Sequence, residues 1–154
     1  MIATIAAMTA LVGQKNINTE LVTPVGSHDK IKAMARQLGH GLYAPDRTPR
    51  GYALRSVDFV SLPNSTPKRN VVRLKYINLD SANVLTIFQT PASGQDSSRQ
   101  MNTILNSGLF DVSKSKYDTW VTSRRGDMNV GLLGALIADT SAKQVIERMI
   151  YIKP

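Results

Sequence analysis

The sequence has no cysteine, only two histidines, two glutamates beside nine aspartates, and no apolar run long enough to cross a bilayer as a helix. The missing cysteines exclude disulfide scaffolds, thiolate zinc sites, iron–sulfur clusters and thiol nucleophiles. They leave the compartment open, because extracytoplasmic bacterial proteins often lack cysteine. His28 falls in the first turn of a helical pattern and His40 stands between two glycines, so neither has metal-ligand spacing. No G-x-S-x-G, Walker loop, G-x-G-x-x-G or H-E-x-x-H occurs. Most of the aspartates are explained by turns and caps, as at Asp46, Asp80, Asp127 and Asp139. No catalytic, cofactor-binding or metal-binding residue is therefore assigned, and no cofactor is implied.

What is present is an ordinary globular composition: 154 residues, 42% hydrophobic, with ten Gly and seven Pro. Nineteen Lys and Arg against eleven acids leave a net charge of +8. That balance points toward nucleic acid, an anionic membrane face or an acidic protein partner without choosing among them.

Residues 1–12, MIATIAAMTALV, carry no charged side chain. As a helix they would reach about 18 Å, short of the roughly 30 Å hydrocarbon core. Three readings stand: a first helix packed on the domain, the tail of a span or signal from a longer precursor, or a mis-set start. Gly13 to Gly26 is polar and turn-rich and reads as a linker. This divides the chain into an apolar N-terminal segment with its linker, 1–26, and a single domain, 27–154.

Ile31, Met34, Ala35 and Leu38 recur at helical spacing, Ser27 offers an N-cap, and Gly39 a C-terminal stop, predicting a helix over 28–38. The prolines and glycines of 39–51 argue against a regular element there. Residues 52–62 read as a strand whose alternation slips between Leu54 and Val57, the mark of a bulge. VVRLKYI (71–77) and VLTIFQ (84–89) form a hairpin across NLDSAN. Val72, Leu74 and Tyr76 face one way, and Val71, Arg73 and Lys75 the other, predicting one buried and one wet sheet face. A weak helical pattern lies at Met101, Ile104 and Leu105, and a second hairpin spans 117–136. A last helix starts at Ser141, with Gln144 completing a capping box. The expected fold is α+β: an antiparallel sheet of four to six strands with an N-terminal and a C-terminal helix packed on one face.

Basic residues cluster twice. Lys68, Arg69, Arg73 and Lys75 lie in a stretch without an acid, and Arg124 and Arg125 sit beside the second hairpin turn. These six residues form the expected partner-contact face. Arg125-Gly126-Asp127 matches an integrin-recognition tripeptide and is better read as turn chemistry. Asn64-Ser65-Thr66 is a glycosylation sequon that matters only in a eukaryotic secretory setting.

Three segments together resemble a bacterial pattern: LGHGLYAPDRTPRGYALRSVDF (38–59), VVRLKYINLDSANVLTIFQTP (71–91) and the W-V-x-x-x-R-G-x-x-x-V-G-L-L-G run (120–134) before the last helix. The pattern resembles the small extracytoplasmic domain of bacterial anti-sigma regulators and lipoprotein-sorting-type proteins. It is also similar to the C-terminal domain of RseB/MucB-type sigma-E regulators. The resemblance covers about 38–150, places Tyr52 and Tyr76 in the core, and makes Pro49, Gly51 and Gly134 turn-setting residues. It implies an extracytoplasmic location, in the periplasm or at the cell surface, and a non-enzymatic sensory or partner-binding role. The implied partner is a protein or an anionic envelope component, and residues 1–12 become the remnant of a span or signal in a membrane-anchored precursor. A basic nucleic-acid-binding module and a small hydrolase-type enzyme with a dispersed site are the two alternatives.

Overall fold

The structure, a computed structural model, describes residues 20–63 and 69–154. In chain order its elements are β1 (Leu21–Val22), α1 (Asp29–Leu38), β2 (Leu42–Pro45), β3 (Thr48–Pro49), β4 (Tyr52–Ser61) and β5 (Asn70–Asn78). There follow β6 (Val84–Pro91), α2 (Ser97–Asn106), β7 (Asp118–Arg125), β8 (Met128–Ala135), α3 (Asp139–Glu147) and β9 (Met149–Ile152). The class is α+β, built on a five-stranded antiparallel sheet in the order β4-β5-β6-β8-β7. Residues 1–19 and 64–68 lie outside the described residues. The expectations for the apolar N-terminal segment, the sequon and Lys68 therefore lie outside them too.

Period-two alternation assigns the sheet faces. Val72, Leu74 and Tyr76 of β5 share one face with Leu85 and Ile87 of β6 and with Val130 and Leu132 of β8, and all are buried. Ile31 and Ala35 of α1, with Ala142, Val145 and Ile146 of α3, complete this main core. The bulge expected between Leu54 and Val57 is present as a register shift between Leu54 and Ser56, which leaves Arg55 unpaired and exposed.

The opposite face is not wet, as the alternation in β5 suggested. Val71 and Phe88 are buried there beneath Met101 and Ile104 of α2, with Leu62, Phe110, Val112 and Trp120 packed around them. The sheet is thus covered on both sides, α1 and α3 on one and α2 on the other. Trp120 explains part of this: its indole lies across Gly131, where any Cβ would collide with the ring, and its Nε1 donates to Asn102 Oδ1 at 2.6 Å.

The helix ends depart from the expected caps. Gly39 does close α1 in the left-handed conformation (φ 78°), its N–H bonding the Ala35 carbonyl. Ser27 stands one residue ahead of the N-cap His28, and its Oγ accepts from Asp29 N at 3.4 Å. For α3 the correction is larger. The helix begins at Asp139 with Ala138 as N-cap and no side-chain cap bond, so Ser141 is buried in its first turn. In α2, Asp96 is a true N-cap, accepting from Arg99 N at 2.8 Å.

Segment 39–51 carries two short strands where none was expected. β3 pairs with β1, and β2 pairs with β9. Residues 20–26, read from composition as the end of the linker, thus already carry β1, whose Leu21 is buried in the main core. Both prolines sit where a strand end or a short pair tolerates a missing donor.

Candidate functional site

The six basic residues of the expected contact face do not form one surface. Lys68 lies outside the described residues, and Arg69 is half-buried at the start of the β5 side of its loop. Arg73 faces Asp58 across β4–β5 and forms a two-pronged pair with it, Nε to Oδ1 at 2.9 Å and Nη2 to Oδ2 at 2.5 Å. Its guanidinium also lies 4.9 Å from the Phe110 ring centroid, leaving the side chain only 20% exposed. Lys75 lines a cleft of about 430 Å³ together with Arg73, Phe110, Asp111 and Asp118. The stretch that lacks acids in sequence is therefore surrounded by three aspartates in space.

Arg124 and Arg125 sit at the far end of β7, separated from β5 by β6 and β8. Neighbouring strand residues point to opposite faces. Arg124 stands opposite Asn129, whose side chain donates to Gln100 of α2, and Arg125 stands opposite Met128 of the main core. What joins the two arginines is the turn they flank, and that turn belongs to a second cleft.

This cleft, about 420 Å³, is lined by His40, Tyr43, Pro91, Asp127, Met128 and Tyr151, with Gly41 and Gly126 in its walls. Its parts come from four separated stretches, and specific contacts fix them. Gln89 of β6 is fully buried; its Oε1 accepts from Tyr43 N at 2.7 Å and its Nε2 donates to Tyr43 O at 2.8 Å. A side-chain amide thus takes the place of a neighbouring strand and hangs β2 on the main sheet. β9 then pairs with β2, setting Tyr151 opposite Tyr43 with ring centroids 5.3 Å apart and planes at 58°.

Glycine allows the close approach of both rings. A Cβ at Gly41 would overlap the Tyr151 ring, and one at Gly126 would overlap the Tyr43 hydroxyl. Gly126 also has φ 54° and is the only positive-φ residue of the two-residue Gly126-Asp127 loop, the type II′ hairpin pattern. Turn geometry and tyrosine packing therefore account for the Arg-Gly-Asp tripeptide. Arg124 Nε donates to Gly126 O at 3.0 Å, which holds one guanidinium at the cleft rim. Arg125 is half-buried, and its Nε is buried without a partner.

Within the cleft, His40 Nδ1 donates to Gly41 O at 3.0 Å. Tyr151 remains 51% exposed although its ring is braced from beneath, and Ile150 beside it is exposed as well. The result is a rigid aromatic floor with a carboxylate, an imidazole and a rim arginine, suited to receiving an apolar or aromatic group with polar flanks. Sequence reasoning noted His40 and the Arg125-Gly126-Asp127 turn separately and did not connect them. Tyr43 and Tyr151 carried no local signal.

Among the described residues no group of three or more potential metal ligands converges, and no helix is long and apolar enough to cross a membrane. No protein-family model matches the chain, and no curated protein matches it in sequence.

Proposed function

We propose that this chain is a non-enzymatic partner-binding domain of a bacterial envelope regulator or lipoprotein. We place its contact surface at the tyrosine cleft beside the β7–β8 turn rather than along β5. The observation that carries this reading is the preorganised, half-exposed Tyr43–Tyr151 pair. Large rings already held in place lose little freedom on binding, which is why such residues dominate interface energetics. Arg124 at the rim adds charge selection, favouring a partner segment with an apolar or aromatic side chain and acidic neighbours. Arg73 supports the relocation by contrast: its charge is matched by Asp58, and little of it faces solvent. The extracytoplasmic setting rests on the resemblance of residues 38–150.

The test replaces Tyr151, and separately Lys75, with a photoactivatable phenylalanine analogue in the full chain expressed in bacteria. The expected result is a discrete crosslinked envelope protein from position 151 and none from position 75, with the crosslink lost on Arg124→Glu. Crosslinking from position 75 alone returns the contact surface to β5. Salt-sensitive capture of nucleic acid from either position overturns the reading in favour of the nucleic-acid alternative.

A further inference from the structure

β9 has a strand neighbour on one side only. β2 occupies that side, and in their antiparallel pair Tyr43 stands opposite Tyr151. Facing residues of such a pair alternate between those that exchange both backbone bonds and those whose N–H and C=O point away from each other. The Gln89 clamp decides which kind this pair is. Tyr43 directs its N–H and its C=O to the Gln89 amide, at 2.7 and 2.8 Å, so neither is aimed at β9. Leu42 and Ala44 therefore bond Ile152 and Ile150, and Tyr151 turns its own N–H and C=O outward to the open edge. Outside the β2 ladder Tyr151 makes no hydrogen bond among the described residues.

The edge is accessible. Ile150 and Tyr151 are 36% and 51% exposed, and Arg148 and Lys153, on either side of β9, are exposed as well. The four residues of β9 hold none of the proline, bulge or charge by which sheet edges are blunted. Pro154 comes after them and keeps Lys153 extended, so the strand direction continues past Ile152. Arg148 and Lys153 are in no ion pair among the described residues. With Arg124 at the cleft rim they outweigh Glu147 and Asp127, so the surroundings of the edge are positive. A second copy of this edge would carry the same sign, which leaves an acidic segment of another protein as the fitting occupant.

We propose that β9 receives its partner as an added strand: an extended segment of another protein, hydrogen-bonded to Tyr151 N–H and C=O. It carries an aromatic or large apolar side chain opposite Tyr151 and acidic residues toward Arg148 and Lys153. This mode of binding rests on the partner-binding reading of the tyrosine cleft and specifies the partner's conformation. Residues opposite each other on paired strands share a face, so the side chain facing Tyr151 falls on the cleft side, over the ring pair. Backbone bonds supply affinity, and the cleft selects that one side chain.

The probe is a set of peptides of about ten residues, enough for one added strand, selected from a random phage-displayed library on the immobilised full chain. Amide hydrogen exchange and chemical shifts of the chain are read by NMR. Without peptide, Tyr151 N–H should exchange about tenfold faster than the N–H groups of Ile150 and Ile152, which face β2. Selected peptides should carry an aromatic residue with acids on both sides, slow exchange at Tyr151 N–H by about tenfold, and shift Tyr43 and Gly126. Lys153→Glu, at an exposed position, should weaken their binding about fivefold. Shifts at Tyr43 and Gly126 with Tyr151 N–H left unprotected overturn strand addition and leave the cleft reading standing. Binding without shifts at Tyr43 or Gly126 overturns both. Protection of Tyr151 N–H that grows with protein concentration in the absence of peptide assigns the edge to a second copy and overturns the proposal. Failure to enrich any peptide also overturns strand addition, and the crosslink from position 151 then judges the cleft reading alone.

Discussion

Where β6 ends and the β7–β8 hairpin turns, the sheet is closed by tyrosine rings laid over Gly41 and Gly126. Where β4 begins and α3 starts, it is closed by hydroxyls, amides and a helix end. The first end hangs β2 on the sheet through the Gln89 clamp on Tyr43 and shows water an apolar floor, while Arg125 Nε and Asn129 Oδ1 at the same end are buried without a partner. The second places Tyr52 and Ser141, both nearly enclosed, beside a cavity of about 220 Å³ that Arg50 and Asp80 also line. Under the proposed reading, a floor clamped in this way keeps its shape when a partner arrives.

The sharpest way to break this contrast is Gln89→Met, which keeps side-chain volume and orphans the N–H and C=O of Tyr43. The expected cost is about 3 kcal/mol in urea denaturation, from two lost bonds and two desolvated backbone groups. An unchanged midpoint would mean that the amide clamp does not hold β2.

A smaller effect, about 2 kcal/mol, is expected for Gly126→Ala, which meets both the positive φ and the Tyr43 hydroxyl. Tyr43→Phe removes the obstructing oxygen and should recover part of that loss in the double variant. Strict additivity of the two changes would show that the ring and the turn are not in contact.

The smallest effect belongs to the polar end and is read by pH. Burial raises the Tyr52 phenol to about 12 and pushes Tyr76 upward as well. Both groups keep their protons in the folded chain while the unfolded chain loses them above about pH 10, so the unfolded state binds fewer protons and stability falls as pH rises through that range. Denaturation midpoints compared on either side of pH 10, with tyrosinate absorbance as a second probe, check this. Tyrosinate forming freely in the native protein near its ordinary pKa would contradict the burial of both rings.

Much of the sheet was legible because its strands carry strong alternation. Val72, Leu74 and Tyr76 announce their face, and the slip at Leu54 announces the bulge. The second covered face was not legible, since Arg73 and Lys75 read as solvent-facing. The groups that tame Arg73, Asp58 and Phe110, come from elements far away in sequence. Ser141 was read as a cap because a serine ahead of Lys-Gln is good capping chemistry, yet the helix starts two residues earlier and turns that hydroxyl inward. Neither cleft could be read from sequence at all. Each gathers residues from three or more separated segments, and at each position a local explanation, such as turn glycine or cap serine, was sufficient.

The pairing of β2 with β9 has a consequence for how the molecule comes into being. It joins Leu42–Pro45 to Met149–Ile152, so the loop it closes contains the entire five-stranded sheet. Contacts of such long range are made late in folding. In refolding the sheet can form first, and the tyrosine cleft comes into existence only when the C-terminal strand folds back on β2. A refolding chain would therefore carry its sheet before it carries the surface proposed to engage a partner.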